Sequence, residues 1–545
     1  MSSLQATLSD RVRAATGVDP ELRPATKPQF GHFQSNVALR LAKAEGRPPR
    51  EVAAGIIDSL DVSDLCEPPE LAGPGFINFR LKPSTLADEV TALLADPRTG
   101  LVPTSDPKRV VIDYSSPNVA KQMHVGHLRT TIIGDCFYRV LAALGHTVIA
   151  QNHIGDWGTQ FGKLVELIDE EGLDASQLTL EQADDLYVRS ARKFEADPEF
   201  ADRARARVVA LQSGDAHTRA VWSDLMKISA AAFNSTYARM NILLTDDDLA
   251  GESTYNDDLP VVAADLEQRG IAVIDAGALC VFVEGFNAPL IIRKRDGGFN
   301  YDTTDLAAIR RRVSELHGER LIYVTDARQA DHFHEVFAAA RTAGYLPDSV
   351  SAEHVGYGLV LGTDGRPFKT REGTAASLVS LLDAAEEKAA PPVALAAIKY
   401  ADLSSGINKD YVFDVDRMVA TTGNTGPYLQ YAHARMCQVL RKAEADGIPV
   451  GDKITELLEP AEQTLALQLS GFGDAVADVA ENLQPHRLCA YLYDTAVALA
   501  AFYEQCPVLR SEGTVRESRL ALCLTARKVL ATGLDLLGIP APDRM

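Results

Sequence analysis

Apolar and polar positions in the middle of the chain follow the period of a strand, then of a helix, then of a strand again. Residues 109–116 (RVVIDYSS) are a β-rich run, residues 126–144 carry apolar positions at helical spacing, and residues 146–152 form a second short apolar run. A strand, a helix and a strand in this order form a βαβ unit, whose two strands are parallel. We therefore expect a domain built on a parallel sheet.

The same alternation resumes downstream of an acidic stretch at 161–260. Because both halves share one pattern, we interpret residues 106–390 as a single α/β domain that a helical insertion at about 161–260 interrupts. The downstream strands are predicted at 279–285, 289–294, 320–327 and 352–361, and the helices at 303–316 and 331–343.

The two ends of the chain have different patterns. Residues 1–105 resemble a small α/β module that ends in a linker rich in Pro and Gly. Beyond residue 390 the strand patterns stop, and helical patterns rich in Ala and Leu continue to the end, so residues 391–545 are predicted to be an all-helical domain. In the N-terminal module, helices are predicted around 33–45 and 49–60, and a strand at 76–81.

Composition and charge restrict the class of protein. With 46% apolar and 24% charged residues among 545, the chain has the composition of a globular protein that buries large cores. Its 54 basic and 75 acidic residues give a net charge of −21, which argues against a wholly basic coat for nucleic acid. Two stretches, 11–50 and 417–442, are nevertheless net positive, so a limited basic track remains available to a polyanion.

The seven cysteines include no C-x-x-C pair, which favours a reducing cytoplasm over a disulfide framework or a zinc ribbon. The first residues lack the pattern of a secretory signal, and no apolar run approaches the ~18 residues of a membrane span. We expect a cytoplasmic protein without a membrane partner.

The sequence His124-Val125-Gly126-His127 falls where the helix of the βαβ unit should begin. Helix N-termini attract phosphates, and two histidines one turn apart can donate to phosphoryl oxygens as charge builds on them. A metal pair or an ordinary helix start are the alternatives. The metal alternative is weaker, because metalloprotease helices carry i, i+4 histidines with an intervening Glu.

A second basic segment follows the turn Thr363-Asp364-Gly365 and carries Lys369 and Arg371. These two cations suit a loop that closes over a pyrophosphate. A solvated basic hairpin is the simpler interpretation of this segment taken alone.

The two motifs together resemble the HIGH and KMSKS signatures of the class I aminoacyl-tRNA synthetases. Longer strings resemble the arginyl-tRNA synthetases, and the resemblance covers essentially the whole chain. These strings are SSPNVAKQMHVGHLRTTIIGD, NHIGDWGTQFG, FNYDTTDLAAI, IYVTDARQADHF and GRPFKTREGT, with FGHFQSN and TGNTGPYLQYAHAR outside the α/β domain.

The resemblance implies a Rossmann-like class I catalytic domain at 106–390, a module at 1–105 that grips the tRNA elbow, and a helical anticodon-binding domain at 391–545. It implies arginine–tRNA ligase activity, in which arginine and ATP give arginyl-adenylate and pyrophosphate, and the arginyl group then moves to the 3′ end of tRNA(Arg). Mg²⁺ is expected to accompany ATP, no tightly bound metal is expected, and the family tends to be monomeric.

The resemblance also assigns roles to single residues. The KMSKS sequence departs from the usual pattern because its second lysine is missing, and Lys121 is thought to compensate. Catalysis is assigned to His124, His127, Lys121, Lys369 and Arg371, and ATP binding also to Gly126, His354 and Val355. Arginine binding is assigned to Ser116, Asn118, Glu252, Tyr301, Asp305 and Gln329, and tRNA binding to Phe33, Gln34, Asn36, Tyr428, Gln430, Tyr431 and Arg435.

Simpler interpretations of several of these residues remain open. Without the family, Asp305 is an acidic residue at a helix start, and Tyr428 with Tyr431 is an apolar helical stripe. His332 and His334 are interpreted as structural, because no third metal ligand clusters with them. Three other functions also remain: a class I synthetase for another amino acid, a catalytically silent RNA-binding relative, and a metallohydrolase.

Overall fold

The computed structural model describes residues 3–368 and 376–545 of the chain. Its N-terminal region contains four helices and a small sheet whose strands are all antiparallel, and two of these helices, Val37–Glu45 and Pro49–Ser59, pack against this sheet. The elements are α1 (Leu4–Thr16), β1 (Arg23–Pro24), β2 (Phe33–Ser35), α2 (Val37–Glu45), α3 (Pro49–Ser59), β3 (Glu70–Ala72), β4 (Phe76–Phe79) and α4 (Pro83–Ala95), and the strand order is β1-β2-β4-β3.

One prediction for this region is wrong at its start. The helix predicted at 33–45 begins only at Val37, because the three preceding residues form β2. Phe33 pairs with Phe79 of β4 and Ser35 with Ile77, and Phe33 is buried in the core between the sheet and the helices. A partner strand more than forty residues away therefore decides the conformation of this segment.

The next region has a parallel sheet at its centre, as the βαβ pattern predicts. Strand order in this sheet is β11-β10-β5-β6, and every pair is parallel. The elements are β5 (Arg109–Asp113), α5 (Val125–Ala143), β6 (Thr147–Gln151), α6 (Thr159–Glu170), α7 (Leu180–Ala196), α8 (Pro198–Ser213), α9 (Ala216–Arg239), α10 (Asp258–Gln268), β7 (Ala272–Asp275), β8 (Ala278–Val281), β9 (Leu290–Arg293), α11 (Tyr301–Ser314), β10 (Arg320–Asp326), α12 (Ala330–Thr342), β11 (Ser351–Tyr357), β12 (Val360–Leu361) and α13 (Leu378–Glu386).

Both faces of the parallel sheet are covered, as side chains that alternate along β5 show. Val110 and Ile112 belong to the large core that includes Leu128 of α5. Val111 points to the other face and packs with Leu306 of α11 in a second core. This burial on two faces explains why β5 is a continuous apolar run, as expected of a central parallel strand.

The helical insertion is α6 to α9. The two strands predicted at 279–285 and 289–294 are present as β8 and β9, but they join β7 in a separate antiparallel sheet rather than extending the parallel one.

The C-terminal region is helical, with one short exception. Tyr411 and Val412 form a two-residue strand that pairs in parallel with β12, although strands were predicted to stop at residue 390. This pairing ties the helical region to the end of the α/β region. The elements are α14 (Pro391–Leu403), β13 (Tyr411–Val412), α15 (Val415–Met418), α16 (Gly426–Ala445), α17 (Pro460–Ser470), α18 (Phe472–Asn482), α19 (Pro485–Gln505) and α20 (Gly513–Leu536).

Two buried ion pairs join α5 to α14. The Arg129 Nε lies 3.3 Å from an Asp402 carboxylate oxygen, and the Lys399 Nζ lies 3.6 Å from Asp135. All four side chains are almost fully inaccessible. Across the described ranges, no helix is long and apolar enough to cross a membrane.

Candidate active site

The loop between β5 and α5 has an unusual backbone. Ser115, Ser116 and Ala120 have φ values of 74°, 47° and 59°, which non-glycine residues seldom adopt. The Ser116 amide donates to the Asn152 side chain at 3.0 Å, and its hydroxyl donates to Asp113 at 3.0 Å. Such conformations persist only where the surroundings enforce them, and they concentrate at functional sites.

The two motif histidines cap the helix that follows. The Gly126 amide donates to the Nδ1 atom of His124 at 3.0 Å, and the His124 amide donates to the Nδ1 atom of His127 at 3.0 Å. A Cβ atom at Gly126 would lie 2.7 Å from the His124 ring, so a glycine is needed for this ring to fold back. In the neutral rings, the proton is consequently on Nε2 of both histidines.

Both histidines are held neutral. Burial, followed by the nearby charge of Lys121, lowers the pKa of His124. Burial lowers the pKa of His127 to about 3, with further contributions from His124 and Lys121. At neutral pH the pair therefore offers two Nε2–H donors without a permanent charge, which is the state that can stabilise a phosphate as its charge increases.

A cavity of about 610 Å³ opens beside these histidines at the carboxyl ends of β5 and β10. Its lining comes from the loop after β5, the start of α5, a 3-10 turn at Glu252–Tyr255, α11 and the start of α12. Eight of the predicted site residues line it together: Ser116, His124, Gly126, His127, Glu252, Tyr301, Asp305 and Gln329.

The end of the cavity away from the histidines is acidic. Burial raises the pKa of Glu252 to about 7, and the charges of Asp156 and Asp305 add to this rise. Burial also raises the pKa of Asp302. Burial is the largest cause of both shifts, and the group beside Asp302 and Asp305, at 3.7 and 2.7 Å, is His332 rather than a Lys or Arg.

Arg328 brings a positive charge to the lining of the cavity, but its guanidinium is already paired with a carboxylate. Among the described residues of the lining it is the sole Lys or Arg, and its guanidinium donates two hydrogen bonds to Asp326, at 2.9 and 2.6 Å. It therefore neutralises Asp326 rather than the acidic end.

The Gly155-Asp156-Trp157-Gly158 turn positions Glu252. Asp156 accepts a hydrogen bond from the amide of Ser253 at 2.9 Å, and the Trp157 amide donates to the Glu252 carboxylate. A Cβ atom at Gly251 would lie 2.6 Å from the Asp156 carboxylate. This motif therefore acts on the cavity through Glu252 and Ser253.

Four predicted residues lie near the cavity without lining it. Lys121 lies over the Tyr187 ring of α7 at 5.6 Å, and Asn118 packs against Gly155. The His354 Nε2 atom is 2.8 Å from the Thr325 hydroxyl. The fourth is Val355, which lies on the edge strand β11 and packs against the large core.

Lys369 and Arg371 lie outside the described residues. Both ends of the segment that carries them are described. The Phe368 amide donates to the Val360 carbonyl at 2.9 Å, and the Ala376 carbonyl accepts from the Val125 amide at 2.9 Å.

His332 is a residue of the cavity for which the sequence suggested only a structural role, as the alternative to a metal ligand. It lines the cavity, and its Nε2 atom lies 2.7 Å from Asp305 Oδ2. A signal was present, since His332 follows Gln329 by three positions at a helix start and residues so spaced share a face.

The predicted RNA-contacting residues of α16 divide into exposed and buried ones. Tyr428, Tyr431 and Arg435 line a small cavity of about 40 Å³, and the Arg435 guanidinium lies 4.0 Å from the Tyr503 ring centroid. Gln430 is fully buried and donates to the carbonyls of Pro392 and Pro540. It has no surface to offer a base, so the predicted contact is replaced by a packing role.

The N-terminal candidates divide in the same way. Phe33 is buried, which favours the folding-core interpretation over an RNA contact. The Gln34 amide donates to the Asn78 side chain at 2.7 Å, and Asn36 directly precedes α2. Both polar side chains are half-buried.

Comparisons with known proteins agree in every region of the chain. The family described as "tRNA synthetases class I (R), catalytic domain" matches residues 89–394. The "Arginyl tRNA synthetase N terminal domain" matches residues 2–81, and the "DALR anticodon binding domain" matches residues 429–545.

Similar proteins match over their full length. The arginine–tRNA ligase of Cutibacterium acnes is 64% identical and that of Thermobifida fusca 48% identical, each alignment covering 100% of both chains. The arginyl-tRNA synthetase structure from Plasmodium falciparum superposes with a TM-score of 0.85 at 27% identity and covers 100% of both chains. The structure from Thermus thermophilus gives 0.82 at 28% identity and covers 99% of this chain and 100% of that one.

Proposed function

Because the chain belongs to the arginyl-tRNA synthetases and is an arginine–tRNA ligase that uses ATP, we propose that arginine and ATP meet in the 610 Å³ cavity. The observation that carries this proposal is the polarity of the lining. Neutral histidine donors lie at one end, beside the helix N-terminus, and carboxylates that no Lys or Arg of the described lining neutralises lie at the other. A phosphate fits the first end and a guanidinium the second.

The guanidinium is bound by Asp305, Glu252 and Tyr301. A guanidinium is planar and carries five N–H donors, so two carboxylates can accept from different edges while an aromatic ring covers its face. Tyr301 is 61% exposed and lies one turn before Asp305 on α11, so its ring is available for this contact. Lysine, with a compact ammonium, cannot make the same paired hydrogen bonds.

The α-amino and carboxylate groups of arginine are held by Ser116, Asn118 and Gln329. Ser116 and Gln329 line the cavity, and Asn118 lies on the loop after β5. This arrangement directs the carboxylate of arginine toward the histidines, where the α-phosphate of ATP would lie.

In the first step, a carboxylate oxygen of arginine attacks the α-phosphorus of ATP, and the bond to the bridging oxygen of pyrophosphate breaks. His124 and His127 donate from Nε2 to the oxygens on which negative charge increases. Position contributes as much as charge, because a displacement needs the nucleophile and leaving group in line.

Lys121, Lys369 and Arg371 neutralise the departing pyrophosphate. Mg²⁺ enters with ATP as part of the nucleotide substrate. The edge strand β11 offers the backbone at His354 and Val355 to the adenine ring. In the second step, a terminal ribose hydroxyl of tRNA attacks the carbonyl carbon of the adenylate, and AMP leaves.

Two further surfaces are proposed to bind tRNA. Tyr428, Tyr431 and Arg435 suit an unstacked anticodon base, which proteins bind by stacking and by hydrogen bonds to its edges. At the other end of the chain, Gln34 and Asn36 belong to a module that contacts the tRNA elbow. The division into residues 1–105, 106–390 and 391–545 follows from these roles.

The enzyme is proposed to act as a cytoplasmic monomer. All seven cysteines are buried as free thiols, which suits a reducing compartment. Light scattering of the purified protein tests the oligomeric state, with 58.9 kDa expected.

Calorimetric titration with citrulline, the neutral urea analogue of arginine, tests the guanidinium site. Arginine should bind and citrulline should not. Citrulline has nearly the shape of arginine, but its urea group lacks the positive charge that the carboxylates bind. Equal affinities for the two would refute the assignment of the acidic end to the guanidinium.

A further inference from the structure

His332 contacts two of the residues proposed to bind the guanidinium. Its Nε2 atom lies 2.7 Å from Asp305 Oδ2, and its ring meets the Tyr301 ring edge-on at a centroid distance of 5.1 Å. The side chain is 21% exposed and lines the same cavity. It thus lies where a carboxylate and an aromatic ring converge, an environment that suits a planar cation.

Charged groups face His332 from each element around it. Asp302 Oδ1 on α11 lies 3.7 Å from its Nδ1 atom, Glu335 follows on α12, and His354 faces it from β11. Burial alone lowers the pKa of His332, but the hydrogen bond and charge of Asp305, with the charges of Asp302 and Glu335, outweigh burial and raise it. Before arginine binds, His332 therefore favours its protonated form, which balances the carboxylates.

We propose that His332 is a positioning residue that makes arginine binding release a proton. This inference rests on the proposed guanidinium site. When the guanidinium pairs with Asp305, the imidazolium would be a second cation on the same carboxylate, so it loses its Nδ1 proton to the solvent. The neutral ring keeps its Nε2–H donated to Asp305 Oδ2, which leaves Oδ1 for the substrate.

The consequence is a pH dependence of arginine affinity. Below the pKa of His332, the affinity for arginine falls about tenfold for each unit of pH, because one proton must leave on binding. Glu252 adds a second source of protons, since its pKa is about 7 and the ionised carboxylate binds the guanidinium. The contribution of His332 therefore has to be measured against a variant that keeps Glu252.

Calorimetry of arginine binding to the full-length enzyme at pH 6.5, in two buffers with different ionisation enthalpies, counts the protons released. His332→Gln keeps an N–H donor for Asp305 but cannot titrate. His217→Gln is the matched control, because His217 Nε2 lies 2.8 Å from Asp169 on an exposed surface of the insertion.

When arginine binds, His332→Gln should release fewer protons than the wild type. The arginine affinity of this variant should depend less on pH, and its affinity for ATP should be unchanged. His217→Gln should match the wild type. Wild-type proton release from His332→Gln would overturn the proposal. Asp305→Asn separates the two levels of inference: unchanged arginine affinity in that variant would refute the guanidinium site itself, whereas reduced affinity in Asp305→Asn together with wild-type proton release from His332→Gln would refute only the proton linkage.

Discussion

His124 and Ser377 form an antiparallel β-bridge, although they lie 253 positions apart in the chain. The Leu378 amide donates to the Met123 carbonyl at 2.8 Å beside it. Phe368, the last described residue before position 369, is bonded to Val360 of β12, and Ser377 lies beside His124. These contacts of the flanking residues support the proposal, made from the family resemblance, that Lys369 and Arg371 act at the phosphate end of the cavity.

The first prediction concerns this basic segment. Lys369→Ala and Arg371→Ala should each lower kcat for arginine-dependent pyrophosphate exchange by about 10²-fold, because charge that builds on pyrophosphate in the transition state loses a cation. The affinity for arginine should hardly change. Arg366→Ala is the control, since Arg366 is exposed in the preceding turn. Equal losses in all three variants would mean that the segment contributes only general positive charge.

The second prediction follows from the neutral histidines. His127→Asn should lower kcat for exchange by about 10²- to 10³-fold, as expected when one donor to a developing charge is removed. Because the pKa of His127 is about 3, this residue stays neutral from pH 6 to pH 8. The ratio of wild-type to variant kcat should therefore be constant over that range. A ratio that changes tenfold per pH unit would show that His127 titrates there.

Local patterns predicted the central fold, and the resemblance to the family supplied most of the eight predicted residues that line the cavity. The βαβ unit and its parallel sheet are confirmed because strand and helix periods are local properties, and the apolar face of each element is visible in consecutive residues. Strand β2 was missed because three residues carry too little pattern, and Phe79 decides their pairing. Gln430 was misassigned because burial beneath Pro540 depends on the distant end of the chain.

The third prediction concerns the ion pair that joins α5 to α14. Asp402→Ala should lower the free energy of unfolding by about 3–5 kcal/mol, because it leaves the buried Arg129 guanidinium without its carboxylate. The pair was invisible to sequence patterns, since its partners lie 273 positions apart. Urea unfolding measures the effect.

Asp202→Ala is the control for the third prediction. Asp202 pairs with Arg205 on the surface of the insertion, where both side chains are exposed. The urea midpoint of Asp202→Ala should match that of the wild type, because exposed ion pairs contribute little to the free energy of unfolding. Similar midpoints for Asp402→Ala and Asp202→Ala would contradict the role given to the buried pair.

The fourth prediction concerns the anticodon surface. Tyr431 is 44% exposed, and Tyr431→Ala should weaken tRNA binding by about 1–3 kcal/mol if a base stacks on its ring. Tyr431→Phe should retain most of the affinity, because the ring remains. For Arg435→Ala, the slope of the logarithm of tRNA affinity against the logarithm of salt concentration should become shallower by about one, as expected when one phosphate contact is lost. Filter binding at several salt concentrations measures both effects.

Lys453→Ala provides the electrostatic control for the fourth prediction. Lys453 is exposed but lies outside the basic stretch 417–442. The salt dependence of tRNA binding by Lys453→Ala should equal that of the wild type. A loss of affinity as large as that of Arg435→Ala would indicate that tRNA binding follows overall charge rather than a defined surface.

The most direct test of the account is amino-acid-dependent pyrophosphate exchange with all twenty amino acids, with and without tRNA, for the wild type and for Asp305→Asn. The wild type should exchange with arginine alone. Asp305→Asn should weaken the binding of arginine by about 1.5–3 kcal/mol, because a charge-assisted hydrogen bond is lost. The binding of ATP should be nearly unaffected. Exchange with another amino acid, or equal losses for arginine and ATP, would contradict the assignment of the acidic end to arginine.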